Sequence, residues 1–278
     1  MTERRTAFVL SGGSSLGAQQ AGMLRALYEQ GITADLLVGT SAGALNAAFV
    51  ASRPQTEATA RELARIWRDL QREDVFPVSM RALVGGLCRK RDHLVPDHAL
   101  RRLVSRYLEY EDFADATTPL HVVAYDMIGG REVRLSDGPA VDAITASASI
   151  PGVFPPVVMG DQLLIDGGVV NNTPISHAVA LGAERVYVLP TQTGPRRTGG
   201  PPAGAIDAAI HALTLLVDAR FAADLARYAD EVELVVLPAP NSRRVQPTDF
   251  EHASRLTGEA LAACRKLLSA RSVLARAA

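Results

Sequence analysis

The chain has 278 residues, of which 47% are apolar and 21% charged, and its formal net charge is -1. A chain of this kind can bury a sizeable core, in one large α/β domain or in two small ones. The balanced charge argues against a nucleic-acid partner. Two cysteines are too few for a disulfide framework or a cysteine-based metal cluster.

The sequence carries no evident targeting signal. Its N-terminal residues lead straight into a short apolar run and lack the apolar core and cleavage site of a signal peptide. No apolar run approaches the roughly 20 residues of a membrane-spanning helix. We therefore expect a cytoplasmic protein that is at most peripheral to membranes and touches them transiently. The basic run 88–93 could contact phospholipid head groups, although a solvated loop is the simpler interpretation.

Short apolar segments alternate with longer amphipathic ones, which favours a mostly parallel sheet with helices on both faces. The predicted strands are 8–10, 36–38, 121–125, 132–135, a pair within 157–165, 186–189 and 232–237. The predicted helices are 17–30, one from 42, 57–70, 97–109, 139–148, one from 174, 205–229 and 248–270. The signals in 72–96 are typical of an insertion, and those in 193–204 of a loop. Without repeats or a long linker, a single domain over 1–278 is expected.

Residues 36–45 predict a serine presented on a tight turn. An apolar strand ends, Gly39-Thr40-Ser41-Ala42-Gly43 follows, and an alanine-rich helix begins. Glycines on both sides let the backbone bend sharply and pack closely, which would lift the Ser41 hydroxyl above the sheet edge. A hydroxyl needs such exposure, and a base, to act as a nucleophile. A simple helix cap is the alternative, since serine often precedes a helix.

A glycine-rich loop lies between the first strand and the first helix. A dinucleotide-binding loop would need a glycine where Ser14 stands, so that interpretation is weak. Gly12, Gly13 and Ser14 fit an oxyanion hole better, because small residues allow backbone N–H groups to face a tetrahedral intermediate. An ordinary glycine-rich turn remains the alternative.

The base is not an obvious histidine. The late loop where a Ser-His-Asp hydrolase often carries its histidine has none, and His252 lies within a helical pattern. Asp166 is a better candidate, because it ends an apolar strand and precedes two glycines that permit close backbone approach. The same Asp-Gly pair is also a common hairpin signal, so both interpretations stay open. Asp126, before the turn at 129–130, is expected to be structural.

Taken in order, the glycine loop, the serine turn and Asp166-Gly167-Gly168 resemble the patatin-like phospholipase family. The stretches 124–126 and 146–156 also look like the family, so the resemblance covers roughly 6–190. It implies a three-layer α/β/α fold with a mostly parallel central sheet, with the core motifs in 6–190 and a C-terminal extension over 205–278. It further implies a lipid or other ester substrate, and neither a metal nor an organic cofactor.

By this resemblance the protein is a serine lipid acyl hydrolase, a carboxylic ester hydrolase that uses Ser41 as nucleophile and Asp166 as base. An ordinary carboxyl pKa near 4 would keep Asp166 ionised at neutral pH. The supporting glycines are Gly17, Gly39, Gly43, Gly167 and Gly168.

Two departures from the family pattern keep other functions open. Ser14 replaces a third glycine, and Leu16 stands where many members carry a basic residue. The alternatives are an acyltransferase that uses the same dyad, and a catalytically impaired lipid-binding or scaffold protein.

The sequence does not decide the role of two apolar features. Trp67 is expected in the core. A cluster in the predicted helix 205–229 could form an acyl-binding wall or lid, although packing in the core is the commoner role of such residues. The cluster consists of Leu213, Leu215, Leu216, Val217 and Phe221.

Overall fold

The computed structural model describes residues 4–77, 93–192, 204–240, 245–246 and 248–277. The strands are β1 (Thr6–Leu10), β2 (Leu36–Thr40), β3 (Leu120–Asp126), β4 (Arg131–Leu135), β5 (Val157–Met159), β6 (Gln162–Asp166), β7 (Arg185–Leu189) and β8 (Glu233–Val236). They form one sheet in the order β5-β6-β3-β2-β1-β7-β8, with β4 also beside β3. The pairs among β8, β7, β1, β2 and β3 are parallel, and those involving β4, β5 and β6 are antiparallel.

Helices cover both faces of the sheet. They are α1 (Ala18–Tyr28), α2 (Ala42–Ala51), α3 (Glu57–Asp69), α4 (Arg72–Val75), α5 (His98–Tyr107), α6 (Ala140–Ser147), α7 (Gly168–Asn171), α8 (Ile175–Ala180), α9 (Ala205–Tyr228) and α10 (Ala253–Ala277). Alternate strand residues face opposite ways. Phe8 and Leu10 join α1, α2, α6 and α10 in the larger core, whereas Ala7 and Val9 pack with α8 and α9. The three-layer α/β/α arrangement is therefore confirmed.

Strands β2 and β6 pair with the same side of β3, one after the other along its length. The whole of 122–126 pairs with β4 on the opposite side. Strand β2 pairs with β3 as far as Thr40, which lies opposite Val123. Strand β6 then takes over, with Asp166 opposite Ala124. Because β6 runs antiparallel to β3, the carboxyl ends of β2 and β6 meet.

The predicted strands and helices that fall within the described residues are present, with shifted ends. The last helix differs most, since it begins at Ala253 rather than 248 and continues to Ala277. Two short helices, α4 and α7, were not predicted, because four residues are too few to display a helical period. The basic run before residue 93 and all but the last residue of the loop predicted over 193–204 lie outside the described residues. None of the described helices is long and apolar enough to cross a bilayer.

Helices α1 and α10 make backbone contact at Gly22. A Cβ atom on Gly22 would lie only 2.2 Å from the carbonyl oxygen of Thr257. The Thr257 hydroxyl donates a hydrogen bond to the carbonyl of Ala18 at 2.8 Å, which holds the two helices together. Helix α1 follows directly on the glycine loop, so this contact also braces that loop.

We expect Gly22→Ala to lower the free energy of unfolding by about 1–3 kcal/mol, because the added methyl group forces α1 and α10 apart. The matched control is Gly258→Ala on α10, where an added Cβ meets nothing within 4 Å. Helix propensity alone should there raise the stability by about 0.5–1 kcal/mol. Urea denaturation measures both, and a stabilised Gly22→Ala protein would contradict the close contact.

Candidate active site

Ser41 lies on a strained turn between β2 and α2. Its φ of 55° and ψ of -124° are uncommon for a residue with a side chain. Its side chain makes no capping hydrogen bond to α2, in contrast to the helix-cap alternative. The turn requires both neighbouring glycines: a Cβ on Gly43 would lie 2.1 Å from the carbonyl oxygen of Leu10, and one on Gly39 would lie 2.6 Å from the Gly43 oxygen.

The Ser147 hydroxyl links the turn that carries Ser41 to strand β3, close to where β2 and β6 meet. It donates to the carbonyl of Val123 at 2.6 Å and accepts from the N–H of Ser41 at 3.1 Å. The Ser147 side chain is fully buried. It therefore fixes the backbone of Ser41 against β3. Nothing in the sequence distinguishes this serine from others at the ends of helices, so its role was missed.

The Asp166 carboxylate interacts with the Ser41 hydroxyl. The N–H of Gly168 donates to its Oδ1 atom at 2.7 Å, and Asp166 is only 5% exposed. Burial raises the pKa of Asp166 from 3.8 to about 6, although the hydrogen bonds from Ser41 and Gly168 lower it. The expectation of an ordinary pKa near 4 was therefore wrong, but Asp166 is still mostly ionised at neutral pH.

The segment after Asp166 continues into α7 and does not form a hairpin. Gly167 must be a glycine here, since a Cβ atom on it would lie 2.4 Å from the carbonyl oxygen of Val123. A Cβ on Gly168 would lie 3.0 Å from Oδ1 of Asp166. Both glycines thus allow the backbone to turn closely around the carboxylate. Asp126, by contrast, accepts the N–H groups of its own turn, as expected for a structural aspartate.

The glycine loop is fixed by hydrogen bonds at Gly12. The Gly12 N–H donates to the carbonyl of Asn172 at 3.0 Å, and the Gly12 carbonyl accepts from the Thr191 hydroxyl at 2.5 Å. Within the described part of the chain, the N–H groups of Gly13 and Ser14 have no hydrogen-bond partner. Gly13 must lack a side chain, because a Cβ there would lie 2.2 Å from Oγ1 of Thr191.

Gly12 and Ser14 contribute to this loop in different ways. A Cβ on Gly12 would lie 3.0 Å from the Cβ of Ser41, so its missing side chain keeps the space beside the serine open. Ser14 has φ of 51°, a conformation that favours glycine. A third glycine would therefore fit this position without strain. Serine adopts the same turn at a cost in backbone conformational energy.

A buried polar network connects the loop with α2. Gln20 donates from Nε2 to the carbonyl of Ser11 at 2.9 Å. Asn46 donates to Oε1 of Gln20 at 2.7 Å and to the carbonyl of Gly17 at 3.0 Å, and Trp67 Nε1 donates to Oδ1 of Asn46 at 2.8 Å. Trp67 was expected in the core and is buried. Gln20 and Asn46 were missed, because polar residues in helices usually face water.

Two cavities meet at Ser41. One, of about 90 Å³, extends between α2, α3 and α5 and is almost entirely apolar. Its aromatic lining includes Trp67 and Phe250, whose rings stack with centroids 6.3 Å apart. The other, a cleft of about 250 Å³, opens over Asp166 and the glycine loop. Among the residues described, no histidine lines either cavity.

The apolar cluster of α9 borders the cleft. Val217 and Phe221 are half-buried and form part of its wall. Leu213 also lines the cleft but is 43% exposed, and Leu215 and Leu216 are 48% and 68% exposed. Packing in the core was therefore the wrong interpretation for these three leucines, because this half of α9 lies beyond the sheet.

The sequence model of the family described as Patatin-like phospholipase matches residues 8–179. The chain belongs to the patatin-like phospholipase family. An uncharacterized NTE family protein of Mycobacterium bovis is 32% identical over 180 residues, which make up 62% of this chain and 27% of that protein. Lysophospholipase NTE1 of Mycosarcoma maydis is 27% identical over 207 residues, or 70% of this chain and 10% of the relative.

These patatin-like relatives are much longer than this chain, which spans less than a third of their length. Among solved structures, VipD from Legionella pneumophila aligns with 93% of this chain and 67% of its own, at 13% identity and a TM-score of 0.44. The family match includes Ser41, Asp166 and the glycine loop. It ends before α9 and α10, so Phe250 and Leu213 lie outside the matched region.

We expect Asp166→Asn to stabilise this patatin-like protein at neutral pH. Since the folded-state pKa is raised, ionising Asp166 costs folding free energy that grows between pH 3.8 and about pH 6, is fully present above about pH 6, and is absent in acid, where both states are protonated. A shift from 3.8 to about 6 corresponds to about 3 kcal/mol. Urea denaturation should show this gain near about pH 8 and none near about pH 3.

Asp126→Asn is the control, because it should change the free energy of unfolding in the opposite direction. The N–H groups of Gly129 above all, and of Ile128 and Leu163, hold the pKa of the Asp126 carboxyl below its usual value. This variant should therefore lose stability at neutral pH, and the loss should fade in acid. An Asp166→Asn protein that is less stable than wild type near neutral pH would contradict the burial cost.

Proposed function

We propose that this chain is a serine lipid acyl hydrolase, in which Ser41 attacks a carboxylic ester and Asp166 accepts its proton. One observation carries the proposal: Ser41 lies where an apolar cavity joins an open cleft, and the Asp166 carboxylate lines the same cleft beside it. A strained turn, a buried base and two free N–H groups beside them are the parts that acyl transfer needs.

In the first step, the Ser41 Oγ atom attacks the ester carbonyl carbon while its proton passes to Asp166. The carbonyl oxygen becomes negatively charged, and the N–H groups of Gly13 and Ser14 donate hydrogen bonds to it. Each such donor is worth roughly 3–4 kcal/mol of transition-state stabilisation. The C–O bond to the alcohol then breaks, the proton on Asp166 passes to the leaving oxygen, and an acyl-enzyme remains.

In the second step, water attacks the acyl-enzyme from the cleft and gives its proton to Asp166. The new oxyanion uses the same N–H groups. Cleavage of the bond to Ser41 Oγ releases a fatty acid, and the Asp166 proton returns to the serine. Asp166 therefore has to be ionised at the start of each half-reaction, and a pKa of about 6 allows this at neutral pH.

The two cavities support a division of the substrate at the scissile bond. The apolar cavity has aromatic and aliphatic walls and can bury an acyl chain. The cleft carries polar groups from Asn172, Thr173 and Thr191 and would hold the alcohol or lysolipid part. Lipid esters match this combination, and the relative named as a lysophospholipase supports the same substrate class.

The same geometry also admits an acyl acceptor other than water, because the cleft has room for an alcohol after the first product leaves. An acyltransferase is therefore the second candidate function. The third, a catalytically impaired lipid-binding protein, would retain the cavities without turnover. Product analysis with added glycerol separates the first two, and covalent labelling separates both from the third.

We expect a fluorophosphonate probe to label Ser41 in the wild-type protein, and a chromogenic short-chain ester to be hydrolysed. Ser41→Ala should abolish both, because the nucleophile is gone. Asp166→Asn should reduce hydrolysis by at least about 100-fold, because general-base catalysis is lost. The control is Ser254→Ala, an exposed serine on α10 that lines neither cavity and should leave the rate within about threefold of wild type. Equal turnover by all four proteins would disprove the dyad.

The rate should depend on pH through Asp166. With a neutral ester, kcat/KM should rise about tenfold per pH unit in acid and level off above an apparent pKa of about 6. Circular dichroism at each pH provides the control that the protein stays folded. A profile that is flat through about pH 6, with the fold intact, would argue that Asp166 is not the base.

A further inference from the structure

The exposed large apolar side chains of the described residues gather at the end of the molecule that holds Ser41. They belong to α9, to the β3–β4 and β5–β6 hairpins, and to the segment just after residue 93. We call this set the apolar rim. Its members are Leu94, Met127, Ile128, Val158, Leu213, Leu215 and Leu216.

Helix α9 carries its three rim leucines past the edge of the sheet. Its 24 residues make it about 36 Å long, whereas β7, the longer of the two strands it connects, spans only about 17 Å. Only residues 229–232 separate the end of α9 from β8, so the extra length extends beyond the carboxyl ends of the strands. Those carboxyl ends carry the glycine loop and Ser41, so the leucines stand at the mouth of the cleft.

The other rim residues project at the same end. Met127 and Ile128 form the turn after β3, which runs past the end of β2. Val158 belongs to the adjoining β5–β6 hairpin, and it is 71% exposed while Ile128 is 72% exposed. Leu94 donates its N–H to the carbonyl groups of 152–153, next to the cleft-lining residues of that loop.

We propose that the apolar rim docks the protein on an aggregated lipid surface, which places the cleft mouth against the lipid. This inference rests on the proposed function, because the acyl chain that must reach Ser41 resides in such an aggregate. The rim side chains stand on separate projecting elements. A fluid lipid surface accommodates separate apolar tips, whereas a protein partner needs a continuous complementary surface. Leu213 connects the apolar rim with the cleft, since its side chain is exposed and also lines the cleft.

Co-sedimentation with phosphatidylcholine vesicles tests the docking. Binding is measured on the Ser41→Ala chain, so that hydrolysis cannot alter the vesicles. Two further chains add Leu215→Ser with Leu216→Ser, or Ile128→Ser with Val158→Ser. We expect the parent to bind and each double substitution to lower the partition coefficient at least about tenfold, because two apolar side chains no longer leave water. Binding should persist in high salt, since apolar contact drives it.

A relocation control distinguishes the rim from exposed apolar surface in general. Gln30→Leu and Thr33→Leu place two exposed leucines in the loop before β2, at the opposite end of the sheet. Added to the Leu215→Ser/Leu216→Ser chain, they should not restore binding. Restored binding, or a parent chain that stays in the supernatant, would overturn the proposal. So would a dimer that dissociates in the rim variants while vesicle binding is unchanged, because the rim would then serve a second copy.

Activity separates this proposal from the proposed function. With Ser41 restored, the rim variants should keep wild-type kcat/KM on a soluble monomeric ester and lose at least about tenfold on vesicle substrate. Equal loss on both substrates would show that the rim acts inside the cleft and overturn the docking role. If the Ser41→Ala parent binds vesicles through the rim but the wild-type chain hydrolyses no ester, the docking stands and the hydrolase proposal fails.

Discussion

The pairing of two strands with one side of β3 is the constraint on which the candidate site depends. Thr40 and Asp166 occupy consecutive positions along β3, opposite Val123 and Ala124. A serine one residue past Thr40 therefore meets a carboxylate without any long side chain reaching across the cleft. The Ser147 hydroxyl accepts from the N–H of Ser41, just after β2, and donates to the carbonyl of Val123 on β3, so it ties the serine turn to the strand that β2 and β6 share.

Each local feature around this junction, taken alone, lowers the stability of the folded protein. Ser41 and Ser14 hold backbone conformations that cost of order 1–3 kcal/mol each, and Asp166 is a carboxylate removed from water. The surrounding core supports them through backbone contacts that leave no room for a side chain at Gly39, Gly43 or Gly167. The fold thus holds the Ser41 hydroxyl and the Asp166 carboxylate in place at a cost in stability, as their proposed roles of nucleophile and base require.

The sequence predicted most of the fold, because alternating short and long apolar segments report directly on strands and helices. It also predicted the positions of Ser41 and Asp166, since each ends an apolar strand beside glycines. It could not predict the pKa of Asp166, which depends on burial, or Ser147, whose role depends on the register of three strands. Leu215 and Leu216 were wrongly expected in the core, because a helical pattern does not reveal that the helix extends beyond the edge of the sheet.

The stacking of Phe250 on Trp67 has a consequence for how this chain is divided. Trp67 lies within the region that the family shares, whereas Phe250 comes from the segment beyond it. Ser41 and Asp166, the proposed dyad, and the Phe250 side of the apolar cavity are thus encoded in separate stretches of chain. Exchange of the second stretch would alter which acyl groups fit while the chemistry stays the same. Under the proposed function, substrate preference in this chain can therefore be changed through the second stretch with the dyad left in place.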